Sequence, residues 1–450
     1  MKTETKQDRS LSHWLKRRPI PAGLYYYRGR EEFRRMALQL RLEADGTGIL
    51  AINAKTVLYL NETAAAHAYY FLQGMSTEKA VAKIRKLYRV GEKTAKNDHE
   101  KLIYAISTLA QTDEVCPTSY LDIEKIQPFS QNLSAPVRMD LALTFRCQNG
   151  CLHCYAGGPH ETPEISTEEW KKVLDRMKAL GIFIATFTGG EPTLRDDVPN
   201  LIVHAQKLGI VTGLVTNGRK FKQMNFATTL EMAGLDFAQI TIESKNPEIH
   251  DQMTSSKGSW EETVEGIRNL IKTTVYTTSN TTLTKLNAAD FLETLEFIHD
   301  LGIKTFGCNG LIHSGRGPSF AKDYALEPDE LKTLLPRIHE KAHSLGMEFL
   351  WYTPTRYCEL DPVSMELGVK SCTASCMNMC VGPTGDVYPC QSYFQSLGKF
   401  LDTPWDKIWN HPLSKQLRAR AYAPEDCADC PELPLCGAGC PLELQDSTKH

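Results

Sequence analysis

Six short apolar runs, each followed by an amphipathic helical pattern, occupy the middle of this 450-residue chain. The runs are MDLALT, IFIATFT, IVTGLVT, FAQITI, TVYTTSN and KTFGCN, and the helical patterns include TEEWKKVLDRMKALG and NAADFLETLEFIHDLG. Strands that alternate with helices form parallel sheets, because a parallel connection has to cross back over the sheet. The repeats therefore predict an α/β fold, a partial (β/α)6 TIM-type barrel whose chemistry lies in the loops after the strands.

Short strand patterns and then helical patterns make up the first hundred residues. MALQLRLE alternates apolar and polar side chains, as a half-buried strand does, and ILAI and VLYL follow it. Asn61 is a candidate N-cap for a helix that ends at Gly74, and Ser76 or Thr77 is a candidate cap for the next helix. Three strands followed by helices indicate a small winged-helix module. The simpler alternative is a module that only supports the fold.

The composition argues against several classes of function. The 51 Lys and Arg residues nearly balance 54 Asp and Glu residues, so a net charge of −3 draws the chain neither to nucleic acid nor to anionic membranes. The first twenty residues contain no apolar signal region, and no stretch approaches the ~18 apolar residues of a membrane span. We expect a soluble, cytoplasmic protein. In a reducing cytosol, its 14 cysteines favour metal or cluster binding over disulfides.

Three cysteines lie close together directly after the first of the six predicted strands. Cys147, Cys151 and Cys154 are separated by three and two residues in CQNGCLHCYAGG. Three thiolates on one short loop can bind three irons of a 4Fe-4S cluster, which leaves the fourth iron open to a substrate. The alternatives are a zinc site that borrows a distant fourth ligand and three ordinary buried thiols.

This CxxxCxxC spacing resembles the signature of radical S-adenosylmethionine (radical SAM) enzymes. In that family the fourth iron binds the amino and carboxylate groups of S-adenosylmethionine, and reductive cleavage of this cofactor yields a 5′-deoxyadenosyl radical that abstracts hydrogen from the substrate. The resemblance implies the same cofactor here, with the three thiolates as cluster ligands. His153 stands where the family usually has another aromatic residue.

Other residues at strand ends match places where the family contacts its cofactor. The stretch TGGEP after strand two resembles the family's GGEP motif, whose small residues let the backbone approach the methionyl amino group. The stretch TIES after strand four resembles the SLDG or SLEG motif, with Ser244 in place of glycine. Asn280 and Arg316 follow strands five and six, and each is otherwise an ordinary turn or surface residue. The implied cofactor-binding residues are His153, Tyr155, Gly189, Gly190, Glu191, Pro192, Thr241, Glu243, Asn280 and Arg316.

Most of the remaining cysteines lie after residue 350, mainly in two groups. The first is SCTASCMNMCVGPTGDVYPC, with Gly385 five positions before its last cysteine, and the second is CADCPELPLCGAGC. Their order resembles the SPASM domain, which holds two auxiliary 4Fe-4S clusters, so the resemblance implies three clusters in all. Zinc is the alternative, because CxxC pairs also suit tetrahedral zinc. The implied ligands are Cys358, Cys372, Cys376, Cys380, Cys390, Cys427, Cys430, Cys436 and Cys440.

The last part of the sequence departs from the SPASM pattern. In that pattern, Cys440 binds the first auxiliary cluster together with upstream cysteines, and Cys427, Cys430 and Cys436 bind the second. The pattern usually has one more cysteine after these, whereas this sequence continues PLELQDSTKH. We expect the last ligand of the second cluster to be Cys358, Cys376, Cys380 or Cys116. If it comes from the upstream group, the first cluster keeps an iron for a substrate thiolate. A fully protein-ligated cluster that only conducts electrons is the alternative.

Together the three regions resemble a maturase of ribosomally made peptides. The expected domains are a winged-helix peptide-recognition module over residues 1–110, a radical SAM partial barrel over 130–325 and a SPASM domain over 355–450. The resemblance extends to the maturases of clostridial peptides with six cysteines in forty-five residues (SCIFF peptides), which join a cysteine sulfur to a carbon of another residue, typically threonine. It implies a thioether-forming enzyme that binds the leader of a precursor peptide. Flavodoxin or ferredoxin would donate electrons, and no nucleic acid or membrane partner is expected.

Two other functions fit parts of the same pattern. A sulfatase-type maturase shares the barrel and the SPASM domain, but it oxidises a cysteine or serine to formylglycine. A non-catalytic iron–sulfur electron carrier needs neither the GGEP motif nor an open cluster iron, so 5′-deoxyadenosine production distinguishes an enzyme from it. No residue of the sequence is identified as the general base.

Overall fold

The computed structural model of the protein describes residues 20–28, 37–52, 56–111 and 133–447. The chain divides into two compact units: Met1–Ile126 with Ala179–Gly181, and Gln127–Lys178 with Ile182–His450. None of the helices in the described ranges has the length and apolarity to cross a membrane. The candidate ligand Cys116 lies outside the described residues.

In its described residues, the N-terminal unit contains a four-stranded antiparallel sheet and three helices. The strands β1 (Gly23–Arg28), β2 (Ala37–Leu42), β3 (Gly48–Ile52) and β4 (Thr56–Leu60) lie in this order in the sheet. The helices are α1 (Glu62–Leu72), α2 (Thr77–Leu87) and α3 (Glu92–Gln111). Apolar residues of the strands pack against α1 and the end of α3 to form the core. The three expected strands and two expected helices are present, and β1 and α3 are additional.

Local details of this unit agree only partly with the sequence patterns. The side chain of Asn61 caps α1 as expected, because its Oδ1 accepts a hydrogen bond from the Ala64 amide. Ser76 occupies the N-cap position of α2, but its side chain makes no capping hydrogen bond. The expectation that β2 is half-buried is wrong, since Gln39 and Arg41 on its polar face are buried too. An alternating pattern shows which face is polar, and only tertiary packing decides whether that face is covered.

The second unit is built on a nine-stranded sheet with the order β11-β10-β9-β8-β7-β6-β5-β12-β13. Strands β5 to β11 are parallel. Six of them match the six predicted strands, and β11 extends the sheet beyond β10. This parallel α/β sheet confirms the expected fold class. The seven strands are β5 (Arg138–Thr144), β6 (Ile184–Gly189), β7 (Val211–Thr216), β8 (Phe237–Thr241), β9 (Tyr276–Thr282), β10 (Thr305–Asn309) and β11 (Glu348–Trp351).

Helices connect consecutive parallel strands, because a parallel connection has to cross back over the sheet. One helix joins each of the pairs β5–β6, β6–β7, β7–β8 and β9–β10, and two helices join β8 to β9 and β10 to β11. The connecting helices are α4 (Thr167–Ala179), α5 (Val198–Leu208), α6 (Met224–Ala233), α7 (Pro247–Thr254), α8 (Ser259–Ile271), α9 (Phe291–Asp300), α10 (Gly317–Tyr324) and α11 (Pro328–Ser344).

The C-terminal region continues the same sheet. Strand β12 (Asn378–Val381) pairs in parallel with β5, and β13 (Val387–Tyr388) pairs antiparallel with β12. Four short helices complete it: α12 (Trp405–Trp409), α13 (Pro412–Arg418), α14 (Leu433–Cys436) and α15 (Pro441–Ser447). The barrel and the cysteine-rich region therefore belong to one sheet and one compact unit.

A buried carboxylate lies where β12 of the C-terminal region pairs with β5 of the barrel. Asp140 on β5 is 1% exposed and pairs with Arg138, and Thr186 on β6 and Asn378 on β12 lie close enough to act on its charge. Burial raises the pKa of Asp140, and these three partners oppose the rise because they stabilise the charged form. Polar side chains of three adjacent strands thus surround one carboxylate at the point where the C-terminal region joins the barrel.

Two histidines lie buried against each other in the N-terminal unit, one on α1 and one on α3. The Nδ1 atoms of His67 and His99 are 3.1 Å apart, so one ring donates and the other accepts. Burial lowers the pKa of both rings. The charge of His99 lowers the pKa of His67 further, to about 4. The pair is therefore neutral near pH 7.

Acidification from pH 7 to pH 5 should destabilise the N-terminal unit. The pKa of His67 is lower in the folded than in the unfolded chain, so the unfolded chain binds more protons and the unfolding free energy falls as the pH drops below about 6.5. For His67 the loss at pH 5 is about 2 kcal/mol. Hydrogen exchange of the α1 and α3 amides, corrected for the intrinsic exchange rate, measures it.

A His67→Leu/His99→Leu double variant is the control, because it removes both titrating rings. The protection of α1 and α3 should then change little between pH 7 and pH 5. The same loss of protection in the double variant and the wild type would contradict this explanation.

Candidate functional site

The loop after β5 carries Cys147, Cys151 and Cys154, as the sequence predicted. All three are partly buried, and the charge of Cys154 acts on each of the other two thiols, so the three lie near one another. Burial, followed by the charge of Glu191, raises the pKa of Cys147 to about 11, and burial raises that of Cys151 well above its usual value. These thiols are protonated at neutral pH without a metal, so that cluster binding has to release their protons.

Two N–H groups point at the sulfur of Cys147. The amide of Asn149 lies 3.4 Å from this sulfur, and the side-chain Nδ2 of Asn217, just after β7, lies 3.9 Å from it. Both donors favour the thiolate over the thiol. Hydrogen bonds to cysteine sulfurs also tune iron–sulfur clusters. The surroundings of Cys147 therefore fit a cluster ligand.

Arg219 and Arg316 fasten the loop from two sides. Arg219, which follows β7, donates to the side chain of Asn149 and pairs with Glu262. Arg316, which follows β10, donates to the carbonyls of Gly150 and Cys151. The family resemblance implied that Arg316 binds the cofactor, whereas Arg219 was not predicted, because its place after a strand was its only signal in the sequence. In the structure both arginines position the cysteine loop.

Gly189, the last residue of β6, and Gly190 after it allow two backbone segments to approach closely. A Cβ on Gly189, which has a φ of +139°, would lie 2.1 Å from the Thr144 carbonyl oxygen, and one on Gly190 would lie 2.3 Å from that of Arg146. The amides of Gly190 and Glu191 donate to the same two carbonyls. The GGEP stretch thus packs against Thr144, Phe145 and Arg146, the three residues directly before Cys147.

The carboxylate of Glu191 is fully buried and already has partners. It accepts hydrogen bonds from the backbone and hydroxyl of Thr193, from the hydroxyl of Thr216 and from the amide of Asn217. These contacts join the ends of β6 and β7. Pro192 begins the turn that contains Thr193. In this structure Glu191 holds the site together, although it was assigned to the cofactor.

Other assigned residues place buried polar atoms at the ends of β8 and β9. Glu243 is 0% exposed, and its carboxylate accepts from the Thr282 amide and lies 3.1 Å from Nε2 of His153. Within the described ranges, Nδ1 of His153 and Oδ1 of Asn280 are buried without a hydrogen-bond partner. Such atoms are rare in folded proteins, and a polar ligand would supply the missing partner. This arrangement fits S-adenosylmethionine, which is rich in polar groups.

The remaining assigned residues lie nearby without a free polar group of this kind. Tyr155 hydrogen-bonds to Thr188 on β6, and Thr241 is the last residue of β8.

Gly315 packs so closely on the cysteine loop that an added Cβ would lie 2.5 Å from the Cys154 carbonyl oxygen. The amide of Arg316 donates to that carbonyl. The loop after β10 is therefore shaped to the cysteine loop, which sequence analysis did not detect.

The structure places Cys372, Cys390 and Cys440 close to one another. Burial raises the pKa of Cys440 to about 12, with the charge of Cys372 as the next cause, and the charges of Cys372 and Cys440 both act on Cys390. Cys376 also lies near Cys372. We call these four residues the first auxiliary group.

Another four cysteines line a cavity of about 500 Å³. They are Cys358, Cys427, Cys430 and Cys436, and we call them the second auxiliary group. Cys380 is outside this group, because it is buried in β12, paired opposite Asp140 of β5. The C-terminal cysteines that the sequence could not assign are thus separated in space.

Within the described ranges no three His, Cys, Asp or Glu side chains are arranged to hold a single metal ion. Tetrahedral zinc requires thiolates about 4 Å apart, since each Zn–S bond is about 2.3 Å long. A 4Fe-4S cluster does not require that proximity, because each thiolate binds a different iron.

Two family models match the second unit. The model of the radical SAM superfamily matches residues 141–298, and that of the SPASM iron–sulfur cluster-binding domain matches residues 372–431. The chain contains a radical SAM domain and a SPASM domain. Its cofactors are accordingly S-adenosylmethionine and a 4Fe-4S cluster in the first domain, with further iron–sulfur clusters in the second.

Individual proteins are similar over different parts of the chain. The AdoMet-dependent heme synthase of Methanosarcina barkeri is 26% identical over 68% of this chain and 91% of its own. The antilisterial bacteriocin subtilosin biosynthesis protein AlbA of Bacillus subtilis is 25% identical over 71% of this chain and 70% of its own. Streptococcus suis SuiB, solved with its precursor peptide SuiA, is 18% identical with a TM-score of 0.69 over 90% of this chain and 94% of its own. At this identity, the likeness to SuiB shows a common fold.

A Gly190→Ala substitution should damage the radical SAM site. The new Cβ would overlap the carbonyls of Phe145 and Arg146, so the segment leading into Cys147 has to shift. Overpacking of this kind costs about 1–3 kcal/mol. We expect a lower melting temperature and less iron per chain after anaerobic reconstitution.

Gly310→Ala is the matched control, because at this strand end the nearest atoms to an added Cβ are an ordinary 3.8 Å away. It should change melting temperature and iron content much less. Equal effects of the two substitutions would show that the close approach at Gly190 is unimportant.

Proposed function

We propose that this protein is a radical SAM maturase that forms an intramolecular thioether in a ribosomally made, cysteine-rich precursor peptide. The bond would join a cysteine sulfur to a carbon of another residue, with threonine as the expected acceptor. The observation that carries the proposal is the fold likeness to SuiB over 90% of the chain. Because residues 127–450 are less than three quarters of the chain, this likeness extends into the N-terminal unit. The relationship to AlbA gives further support.

The N-terminal unit has a sheet suited to binding an extended peptide. Its outer strands in the described residues are β1 and β4. An edge strand offers unpaired main-chain N–H and C=O groups, and an extended peptide can add to it as a further strand. We propose that the leader segment of the precursor binds in this way, while the core peptide reaches the barrel.

The reaction removes two hydrogens from the peptide, one from the cysteine thiol and one from the acceptor carbon, as the S–C bond forms. Bound S-adenosylmethionine and its cluster would supply the radical that takes the carbon hydrogen, and an auxiliary cluster would accept the remaining electron. An external donor such as flavodoxin or ferredoxin would deliver the electron that each cofactor cleavage consumes. The thiol proton leaves to solvent or to a base.

The residues of the chain hold the reacting groups in place. Arg219 and Arg316 fix the cysteine loop, and the docked GGEP stretch fixes its first residues. His153, Glu243 and Asn280 present buried polar atoms to the cofactor. Such a pre-formed site reduces the reorganisation needed when the peptide reacts.

The first auxiliary group bears on how the substrate sulfur is held. Cys376 lies near Cys372, and Arg420 and Arg418 oppose the rise in its pKa that burial causes. Cys376, which is near Cys372, and Cys380, on which the charge of Cys390 acts, are therefore both candidates for a fourth ligand beside Cys372, Cys390 and Cys440. This supports a fully protein-ligated first cluster that conducts electrons over one with an iron open to the substrate thiolate.

Mass spectrometry of a candidate precursor tests the proposed function. The peptide is incubated anaerobically with the reconstituted enzyme, a reductant and S-adenosylmethionine. We expect a product that has lost two hydrogens per bond and has one fewer alkylatable cysteine, with 5′-deoxyadenosine as co-product. A Cys147→Ala/Cys151→Ala/Cys154→Ala variant should form neither.

Two outcomes would contradict the proposal. An aldehyde in place of a cysteine or serine would indicate a sulfatase-type maturase. Turnover of S-adenosylmethionine with no change in any cysteine-rich precursor would exclude thioether formation.

Deletion of residues 1 to about 110 should weaken precursor binding and leave slow, uncoupled cofactor cleavage, because leader binding and radical generation lie in different units. Fluorescence anisotropy of a labelled leader measures the affinity, and 5′-deoxyadenosine release measures the cleavage. Proline in the bound stretch of the leader should also weaken binding more than alanine at the same position, since proline cannot donate to a ladder. Equal leader affinity with and without the segment would refute this role.

A further inference from the structure

The second auxiliary group contains a cysteine from outside the two C-terminal sequence groups. Cys427, Cys430 and Cys436 lie within ten residues of one another in sequence, whereas Cys358 comes some seventy residues earlier. All four line the same cavity, together with apolar and charged residues that include Tyr357, Asp361 and Leu433. The cavity has a volume of about 500 Å³ and is partly open to solvent.

The charges within the cavity confirm that its thiols are close together. Burial and then the charge of Cys358 raise the pKa of Cys427, ahead of the charges of Cys430 and Cys436. The sulfur of Cys358 is therefore close enough to Cys427 to affect its pKa, as the sulfurs of Cys430 and Cys436 are.

Contacts around Cys436 hold the Cys358 segment in position. The amide of Tyr357, the residue before Cys358, donates to the sulfur of Cys436 at 3.4 Å, and this thiol donates to the Thr355 carbonyl at 3.6 Å. The hydroxyl of Tyr357 also donates to the Leu435 carbonyl. An amide directed at a cysteine sulfur stabilises its thiolate, as in iron–sulfur proteins. These hydrogen bonds therefore hold the segment that contains Cys358 next to Cys436.

We infer that Cys358 is the fourth protein ligand of the auxiliary cluster held by Cys427, Cys430 and Cys436. The inference rests on cluster binding by the SPASM domain and does not depend on the proposed peptide chemistry. Of the other candidates from the sequence, Cys376 lies with the first auxiliary group and Cys380 lies in β12. Cys116 is outside the described residues, so experiment has to compare it with Cys358.

Iron content and electron paramagnetic resonance (EPR) of the full-length, anaerobically reconstituted protein test the ligand. The Cys358→Ala variant should have the same iron content and EPR signal as the Cys427→Ala variant. Either both variants lose about four irons per chain, or both keep the iron and show the same altered EPR signal after reduction. Cys116→Ala should retain the iron content and signals of the wild type. Circular dichroism checks that each variant is folded, and the more conservative Cys358→Ser replaces the alanine variant if that one is not.

Cys308→Ala is the matched control for loss of a thiol, because Cys308 is buried in β10 and belongs to neither auxiliary group. It should leave the iron content unchanged. Wild-type iron and EPR signals in the Cys358 variant would overturn the inference. So would a Cys116→Ala variant that reproduces the loss seen in Cys427→Ala.

Discussion

The close approach of the residues after β6 to the residues after β5 is the contact on which the radical SAM site depends. Gly189 and Gly190 lie so near the Thr144 and Arg146 carbonyls that no larger side chain fits without movement. This contact fixes where the backbone turns toward Cys147. Arg219 and Arg316 then hold the rest of the loop, and Glu191 ties the ends of β6 and β7 beneath it. Residues assigned to the cofactor by their position in a motif thus also have structural partners, which any substitution at these positions would disturb.

The pairing of β12 with β5 is a second contact that positions the cysteine-bearing segments. It makes the cysteine-rich region part of the barrel sheet, and Asp140 links side chains from β5, β6 and β12 in the buried junction. The strand that leads into the radical SAM cluster loop is therefore the strand that carries the SPASM region. Such a connection keeps the cluster sites at fixed separations, which a flexible linker between two domains would not do.

Cysteine spacing alone predicted which thiols bind clusters but left their grouping open. The sequence offered four candidates for one ligand position, because residues distant in sequence leave no local signal of proximity. The structure separates Cys358 from Cys376 by placing each in a different auxiliary group. With Cys358 in the second group, the second cluster needs no ligand from the upstream cysteines, and that need was the reason to expect an iron of the first cluster to be open to substrate.

The sequence by itself determined the six parallel strands, the cap at Asn61 and the three-cysteine loop, because each depends on hydrophobic periodicity or on residues adjacent in the chain. It also located the GGEP stretch and the residues at the ends of β8 and β9. Only the tertiary structure decided that the polar face of β2 is buried, that β12 extends the barrel sheet and that Arg219 fastens the cluster loop. These features join segments far apart in sequence, and the packing that creates them has no periodic or short-range pattern in a single sequence.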